Sequence, residues 1–373
     1  MAKIMKVIIY IGHHKVGSTA LQTYLSRNWL KLIRDGGILY PMVEFEGMAN
    51  CLARAMAGKD DDGDLTLNER EPHNTLVFKM IAEAGGFKLP AFIDRPPAVF
   101  QMARAIREQI DNLSPRAVVL CSEVMSNFGH ESPALTQQLR SFFPGASFEI
   151  YLTLRRPDEY LASWHGQRFR FGYRWGRLEG EVAKKYIHTV HFDYQTLLQP
   201  WTEAFPDAVF HIRNYSDVLA VGGSCEDFVQ QVGIDFPSGL VPAPRANKSI
   251  PYAFYDIMRR ANQELDRPDA ERFMHFLEST NIAKEVHKNA EVEVLGQGAR
   301  TFLADAFEPI HSYVGQVANR SPFFPDIDEM RIAHPVPEEV ASRAALELLL
   351  ELPERARPQP PAWELLRKLA AGH

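Results

Sequence analysis

Apolar and polar positions along the chain fall into alternating strand-like and helix-like stretches. Residues 7–11 are β-branched or aromatic and read as a buried strand. Residues 12–17 form a glycine-bounded loop, and from Ser18 the period changes, with Leu21, Leu25 and Trp29 falling on one helical face. Residues 36–41 read as a turn and a short extended piece. Helical spacing then covers 47–57, 73–83 and 97–113, which predicts a mostly helical insertion at about 45–113. Further strands are expected at 117–121, 147–154 and 209–213, with helices at 132–143, 158–171 and 225–232 between or after them. Residues 237–251 are rich in proline and small side chains and read as a loop. Helical patterns return at 252–265, 268–288, 336–352 and 363–370, with a linker at 355–361.

Strands that alternate with helices predict an α/β fold, a mostly parallel central sheet with helices on both faces. The pattern suggests one domain over residues 1–335 and a helical tail, 336–373, packed on its core. Ligands in such sheets lie beyond the carboxyl ends of the strands. Lys15, Glu123 and Arg155 each follow a strand, so one cleft is expected to hold all three.

Composition narrows the function classes. With 373 residues, net charge -6 and a pI of about 6.1, a broad nucleic-acid surface is not expected. Cys51, Cys121 and Cys225 are too few and too far apart for a disulfide framework or a zinc cluster. No apolar run approaches a membrane span, and the one near the N-terminus is too short for a signal peptide. A cytoplasmic location is the expectation.

The first loop carries the chemistry. Gly12 and Gly17 have the spacing of a Walker A loop, and Thr19 stands where the magnesium-binding hydroxyl would be. Ser18 replaces the required lysine, and the loop's lysine is Lys15. A triphosphate site needs lysine and magnesium, so this arrangement suits a less charged donor without an obligatory metal. At the next phosphate-type motif, Arg155-Arg156-Pro157 ends a strand, and Ser163 follows Arg155 by two helical turns. Arg156 can take the arginine's role instead, at the cost of that spacing. Glu123, after a buried strand, is the candidate general base; a cap or a partner for an arginine is the other reading. His13, His14, His130 and His165 are rival bases, and His14 adjoins Lys15. The histidines lack metal-ligand spacing, so no metal is assigned. Asp60, Asp62, Asp64 and Glu71 imitate a calcium loop, but Leu65 stands where glycine is required. Trp164, Phe169, Phe171, Tyr173 and Trp175, interleaved with glycines, read as a pocket-edge loop.

The segment His13-His14-Lys15-Val16-Gly17-Ser18-Thr19 resembles the 5'-phosphosulfate loop of sulfotransferases that use 3'-phosphoadenosine 5'-phosphosulfate (PAPS), with valine in place of a threonine. Asn247-Lys248-Ser249, Arg259 with Asn262, residues 192–201 and residues 228–233 continue the resemblance, over roughly residues 7–265. It implies a three-layer, P-loop nucleoside triphosphate hydrolase-like fold with helical insertions. It also implies that Lys15, Val16, Gly17, Ser18 and Thr19 hold the donor, with Lys15 on the leaving oxygen and His14 near the sulfuryl group. Arg155 and Ser163 would bind the 3'-phosphate. Glu123 would deprotonate a hydroxyl of a small-molecule, lipid-headgroup or glycan acceptor. The rivals are a P-loop small-molecule kinase, disfavoured by Ser18 and the lack of a clear Walker B aspartate, and a non-catalytic nucleotide-binding protein.

Overall fold

In the computed structural model, which describes residues 4–58, 65–85, 87–243 and 250–372, five strands build one sheet. They are β1 (Lys6–Tyr10), β2 (Ile38–Leu39), β3 (Ala117–Cys121), β4 (Ser147–Leu154) and β5 (Val209–Asn214). Their order is β2-β3-β1-β4-β5, and every pairing is parallel. The chain leaves β1 for β2 and β3 on one side and crosses to β4 on the other. β1 is thus the topological switch point, where such sheets open a crevice.

Side chains alternate across this sheet as the pleat requires. Ile8, Tyr10, Val119, Cys121 and Tyr151 pack against Leu21 and Leu25 of α1 (Ser18–Arg27), Trp29 and Leu32 of α2 (Trp29–Gly36), and Phe228. Residues of the other parity face the opposite side, where Phe148 meets Phe205 edge-on at 4.9 Å. Trp201, on the helix Tyr194–Ala204, stacks on Phe128 at 5.8 Å. Helices therefore cover both faces, and the fold is α/β with a parallel central sheet and helical insertions.

These elements belong to the first of two compact units, the described residues of 1–155, 193–246 and 310–324. The second takes those of 156–192, 247–309 and 325–373. The acidic stretch 59–64 and the segment 247–249 lie outside the described residues. The insertion is helical as expected, with helices Phe45–Met56, Leu67–Arg70, Pro72–Glu83 and Val99–Leu113. Hydrogen bonds tie it to the helix after β1 and to β3: Ser26 Oγ donates to the Glu69 carbonyl at 2.7 Å, and the Cys121 amide donates to His73 Nδ1 at 3.1 Å.

The second unit is mainly helical. Tyr255 Oη donates to the Ala162 carbonyl at 2.8 Å and lies so close to Gly166 that any Cβ there would overlap its ring. The unit's last stretch runs through the described residues of 325–373. The helix Glu338–Leu350 is built into this unit through Ser342 Oγ, which donates to the Ala253 carbonyl at 2.8 Å, and through the Glu338–Arg259 ion pair. The expected helix at 268–288 stops at Ser279, because Thr280 turns to extended backbone and caps a short following turn with its hydroxyl. The 21-residue helix Gln297–Val317 is hidden in the sequence by Gly298, Pro309 and Gly315, all of which read as breakers.

At the amino end of the sheet, Glu149 gathers an ion cluster. His211 Nε2 lies 2.8 Å from its carboxylate, the Gly233 amide donates at 2.9 Å, and Lys6 pairs with it. Burial alone would raise its pKa; His211, the Gly233 amide and Lys6 outweigh burial and hold it at about 2. A carboxylate depressed in the folded state stabilises the fold above the unfolded pKa and loses that contribution as pH falls through the folded one. Glu149→Gln should cost about 2–3 kcal/mol at pH 7. The gap from the parent protein should close between about pH 4.5 and pH 2. Urea midpoints measured across that range check this, and a pH-independent gap would show that packing, not charge, is what Glu149 contributes.

Candidate functional site

The glycine loop is held against β4 beyond the end of β1. The amides of Ile11 and His13 donate to the carbonyls of Tyr151 and Thr153 at 3.0 and 2.9 Å, and the Thr153 amide donates to the Gly12 carbonyl at 2.8 Å. The loop then rises through three left-handed residues, Gly12 (φ 111°), Lys15 (φ 61°) and Gly17 (φ 93°). A lysine in this region costs roughly 1 kcal/mol of backbone strain. Val16 is fully buried and anchors the loop from below, Lys15 is half-buried, and Gly17 is exposed. The Gly17 carbonyl accepts the Ser224 hydroxyl at 2.8 Å and the amides of Ala20 and Leu21 at 3.1 and 3.3 Å. α1 starts at Ser18 with no side-chain cap and no acidic residue in its first turn. That leaves a positive helix end of the kind that receives anions.

Glu123 stands beside this loop. A Cβ on Gly12 would lie 3.2 Å from the Glu123 Cα and carbonyl oxygen, so only glycine allows the approach without pushing Glu123 back. Gln22, one turn into α1, donates through Nε2 to Glu123 Oε2 at 3.0 Å. Behind Glu123, Ser122 Oγ donates to Asn74 Oδ1 at 2.5 Å, and Asn74 Nδ2 donates to Glu71 Oε2 at 2.9 Å. Burial, followed by the negative charge of Glu71, raises the Glu123 pKa to about 7, against the pull of hydrogen bonds from Gln22 and Asn74. A group so placed exchanges a proton near neutrality.

Arg155 follows β4 in the same unit. Tyr194 Oη donates to its carbonyl at 2.7 Å, and its guanidinium carbon lies 5.3 Å from the centre of the Tyr215 ring. Lys15, Val16, Gly17, Ser18, Thr19, His14, Glu123 and Arg155 thus sit at the carboxyl ends of three adjacent strands, β3, β1 and β4. Ser163 belongs to the second unit, half-buried on the helix Pro157–Arg170. Arg156, the alternative to Arg155, is buried in the second unit and bonded to Asp158, Asp326 and Glu329 at 2.8, 2.6 and 2.7 Å. Its guanidinium is committed to carboxylates.

The histidines separate by environment. His13 is fully buried, with Nδ1 accepting the His14 amide at 2.6 Å and its ring 5.8 Å from that of Tyr194. His14 is half-buried, and His130 is exposed on the short helix Phe128–Glu131. His165 lies buried between the Gly176 carbonyl at 2.9 Å and the Tyr186 hydroxyl at 3.3 Å, and burial lowers its pKa to about 4. In the aromatic stretch, Phe171 and Tyr173 are exposed. Phe169 is core, while Trp164, Tyr173 and Trp175 surround the guanidinium of Arg168 at 5.5, 4.9 and 4.8 Å.

Sequence reasoning missed Gln22, Asn74 and Ser224, and met Glu71 only as the end of a calcium-like loop. Gln22 left a readable signal, since a fully buried amide stands on the apolar face of α1 four residues after Ser18. Among the described residues, no group of three or more His, Cys, Asp or Glu side chains is placed to hold a metal ion. No described helix is long and apolar enough to cross a membrane.

No family model matches the chain, and no solved structure matches it. An uncharacterized protein of Archaeoglobus fulgidus is 31% identical over 137 residues, which are 36% of this chain and 36% of that protein. The chain thus spans about a third of the length of the curated relative it matches.

Proposed function

We propose that the chain is a PAPS-dependent sulfotransferase with a P-loop-like donor site, acting on a hydroxyl of a small-molecule, lipid-headgroup or glycan acceptor. The observation that carries this reading is the closeness of Glu123 to an uncapped glycine loop without a Walker lysine, with Gly12 and Gln22 joining the two. The donor set fits an anionic ligand: loop amides, the start of α1, Lys15 and Arg155 are all positive or proton-donating. When bound, PAPS supplies a sulfuryl group already activated by attachment to a phosphate.

In this reading Ser18, Thr19 and the loop amides orient the 5' side of the donor. Lys15 stabilises the negative charge that builds on the bridging oxygen. Arg155 anchors the 3'-phosphate. Glu123 takes the proton of the acceptor hydroxyl as its oxygen bonds to sulfur and the bond to the bridging oxygen breaks. His14, beside Lys15, adds a hydrogen bond to the sulfuryl oxygens. Free, buried Cys51, Cys121 and Cys225 fit a reducing compartment, and a cytoplasmic location belongs to the same proposal.

Titration calorimetry without magnesium tests the donor site. Adenosine 3',5'-bisphosphate should bind at least tenfold more tightly than AMP or ATP. Equal affinity for AMP, or tight binding of Mg-ATP alone, would overturn the reading, the latter in favour of a kinase. Binding without transfer to any acceptor would leave a nucleotide-binding protein without turnover.

A further inference from the structure

We propose that Arg168, on the helix Pro157–Arg170 of the second unit, is an oxyanion-binding site that takes a carboxylate, sulfate or phosphate group of a ligand on its guanidinium. The inference stands apart from the glycine loop and does not depend on the sulfotransferase reading. Arg168, Arg170, Arg174 and Arg177 fall in a stretch, 168–177, that holds no acidic residue. Three of these arginines have acceptors further along the chain. Arg170 pairs with Glu278 at 2.7 Å, Arg174 Nε donates to the Asn262 carbonyl at 2.8 Å, and Arg177 pairs with Glu339. Arg168 differs. Among the described residues no carboxylate pairs with it, and its Nε is buried without a hydrogen-bond partner.

What surrounds it is aromatic, the rings of Trp164, Tyr173 and Trp175, with the hydroxyl of Tyr186 as a neutral neighbour. Rings attract the positive charge, but they are poor hydrogen-bond acceptors. A guanidinium carries five donors in one plane, and a pair of ligand oxygens satisfies them two at a time. The cage is fixed before any ligand arrives. The Tyr173 amide donates to the Arg168 carbonyl at 3.0 Å, and Asn262 Nδ2 donates to the Phe169 carbonyl at 2.7 Å. His165 Nε2, 2.9 Å from the Gly176 carbonyl, holds the chain just after Trp175. Such a site spends little on ordering when it binds. Arg168 is half-buried and Tyr173 is exposed, so a small anion reaches the cage from solvent. Partial exclusion of water there strengthens the pair beyond what an exposed arginine gives.

Nitrogen-15 NMR of the full-length protein tests the site with sodium acetate, sulfate and phosphate, each at constant ionic strength against sodium chloride. The Arg168 Nε–Hε signal and the Trp175 indole signal are identified by their loss in Arg168→Met and Trp175→Phe. Reading these two signals keeps an anion on the glycine loop out of the result. At least one of the three anions should move both signals and saturate with a Kd of about 10 mM or tighter. Acetate as the best binder would name a carboxylate ligand, and sulfate or phosphate a tetrahedral one. Arg168→Lys keeps the charge and the ring contacts but loses the fork, so the Trp175 signal should respond at least tenfold more weakly. Melting curves confirm that the variants are folded. Shifts that never saturate, or that chloride reproduces, would overturn the proposal and leave the cage as packing. Parent-like binding by Arg168→Lys would overturn it too, since diffuse charge and not the guanidinium would then hold the anion.

Discussion

Glu123→Gln should lose transfer by about 10²–10⁴-fold while becoming more stable than the parent above pH 7. The sign follows from the raised pKa. The folded carboxyl titrates at about 7, against an ordinary 4.5, so between these values the folded state holds a proton that the unfolded state has released. Stability of the parent therefore falls as pH rises from 4.5 through 7 and stays lowered beyond. Glutamine cannot ionise and escapes that loss, while its carbonyl still accepts the Gln22 amide. Allowing for partial solvent access, the gain should be about 1–2 kcal/mol at pH 8 and nothing at pH 4. Affinity for adenosine 3',5'-bisphosphate should stay within about twofold, since Glu123 faces the acceptor in this reading. Melting curves at the two pH values and a donor titration check all three parts. Full transfer by the variant would move the base to His14. An unchanged melting temperature at pH 8 would mean that the carboxylate is already solvated.

Gly17→Ala should weaken donor binding more than tenfold by adding a single carbon. The residue sits at φ 93°, where an L side chain is strained, and its Cβ would lie 2.7 Å from Ser224 Oγ. Strain and overlap together should cost about 1–3 kcal/mol of stability, small enough for the fold to persist. The loop would have to shift, and the Ser224 hydrogen bond that fixes the Gly17 carbonyl would break. Because the start of α1 is set by that carbonyl, affinity for the bisphosphate should fall by more than tenfold. Calorimetry and a melting curve on the same sample separate loss of site from loss of fold. Parent-like affinity would show that the donor is held elsewhere.

Much of this arrangement is legible in the sequence because local forces set it. The strand at 117–121 stands out as an uninterrupted apolar run, which a sheet buried on both faces tolerates, and 147–154 as an apolar and aromatic stretch broken only by Glu149 and Thr153 after its first residue. The loop from Gly12 to Thr19 is legible because glycine spacing fixes its turns. What escapes has tertiary causes. The helix Gln297–Val317 contains a proline and two glycines that local propensity rejects, while Leu303, Phe307 and Val314 give it a buried stripe. Glu71 and Asn74 look like ordinary residues at a helix start. Their place beside Glu123 depends on where the insertion docks, and no spacing in the chain encodes that. Arg156 looked equivalent to Arg155 because its partners, Asp326 and Glu329, lie about 170 residues away.

The strand order has a consequence for the sequence of folding events. β1 is synthesised before both of its partners, which start at Ala117 and Ser147, more than a hundred residues further along the chain. It has no hairpin neighbour to pair with in the meantime, and closing so long a loop delays the contact. At about 5–20 residues per second, the apolar stretch Val7–Tyr10 waits roughly 5–20 s for β3 to be made, exposed or held by other surfaces. The glycine loop that follows it takes its final form only when Tyr151 and Thr153 of β4 arrive to accept its amides. The earliest-made part of the candidate site is therefore among the last to be set, and a chain stalled before β4 would carry the whole motif without the geometry.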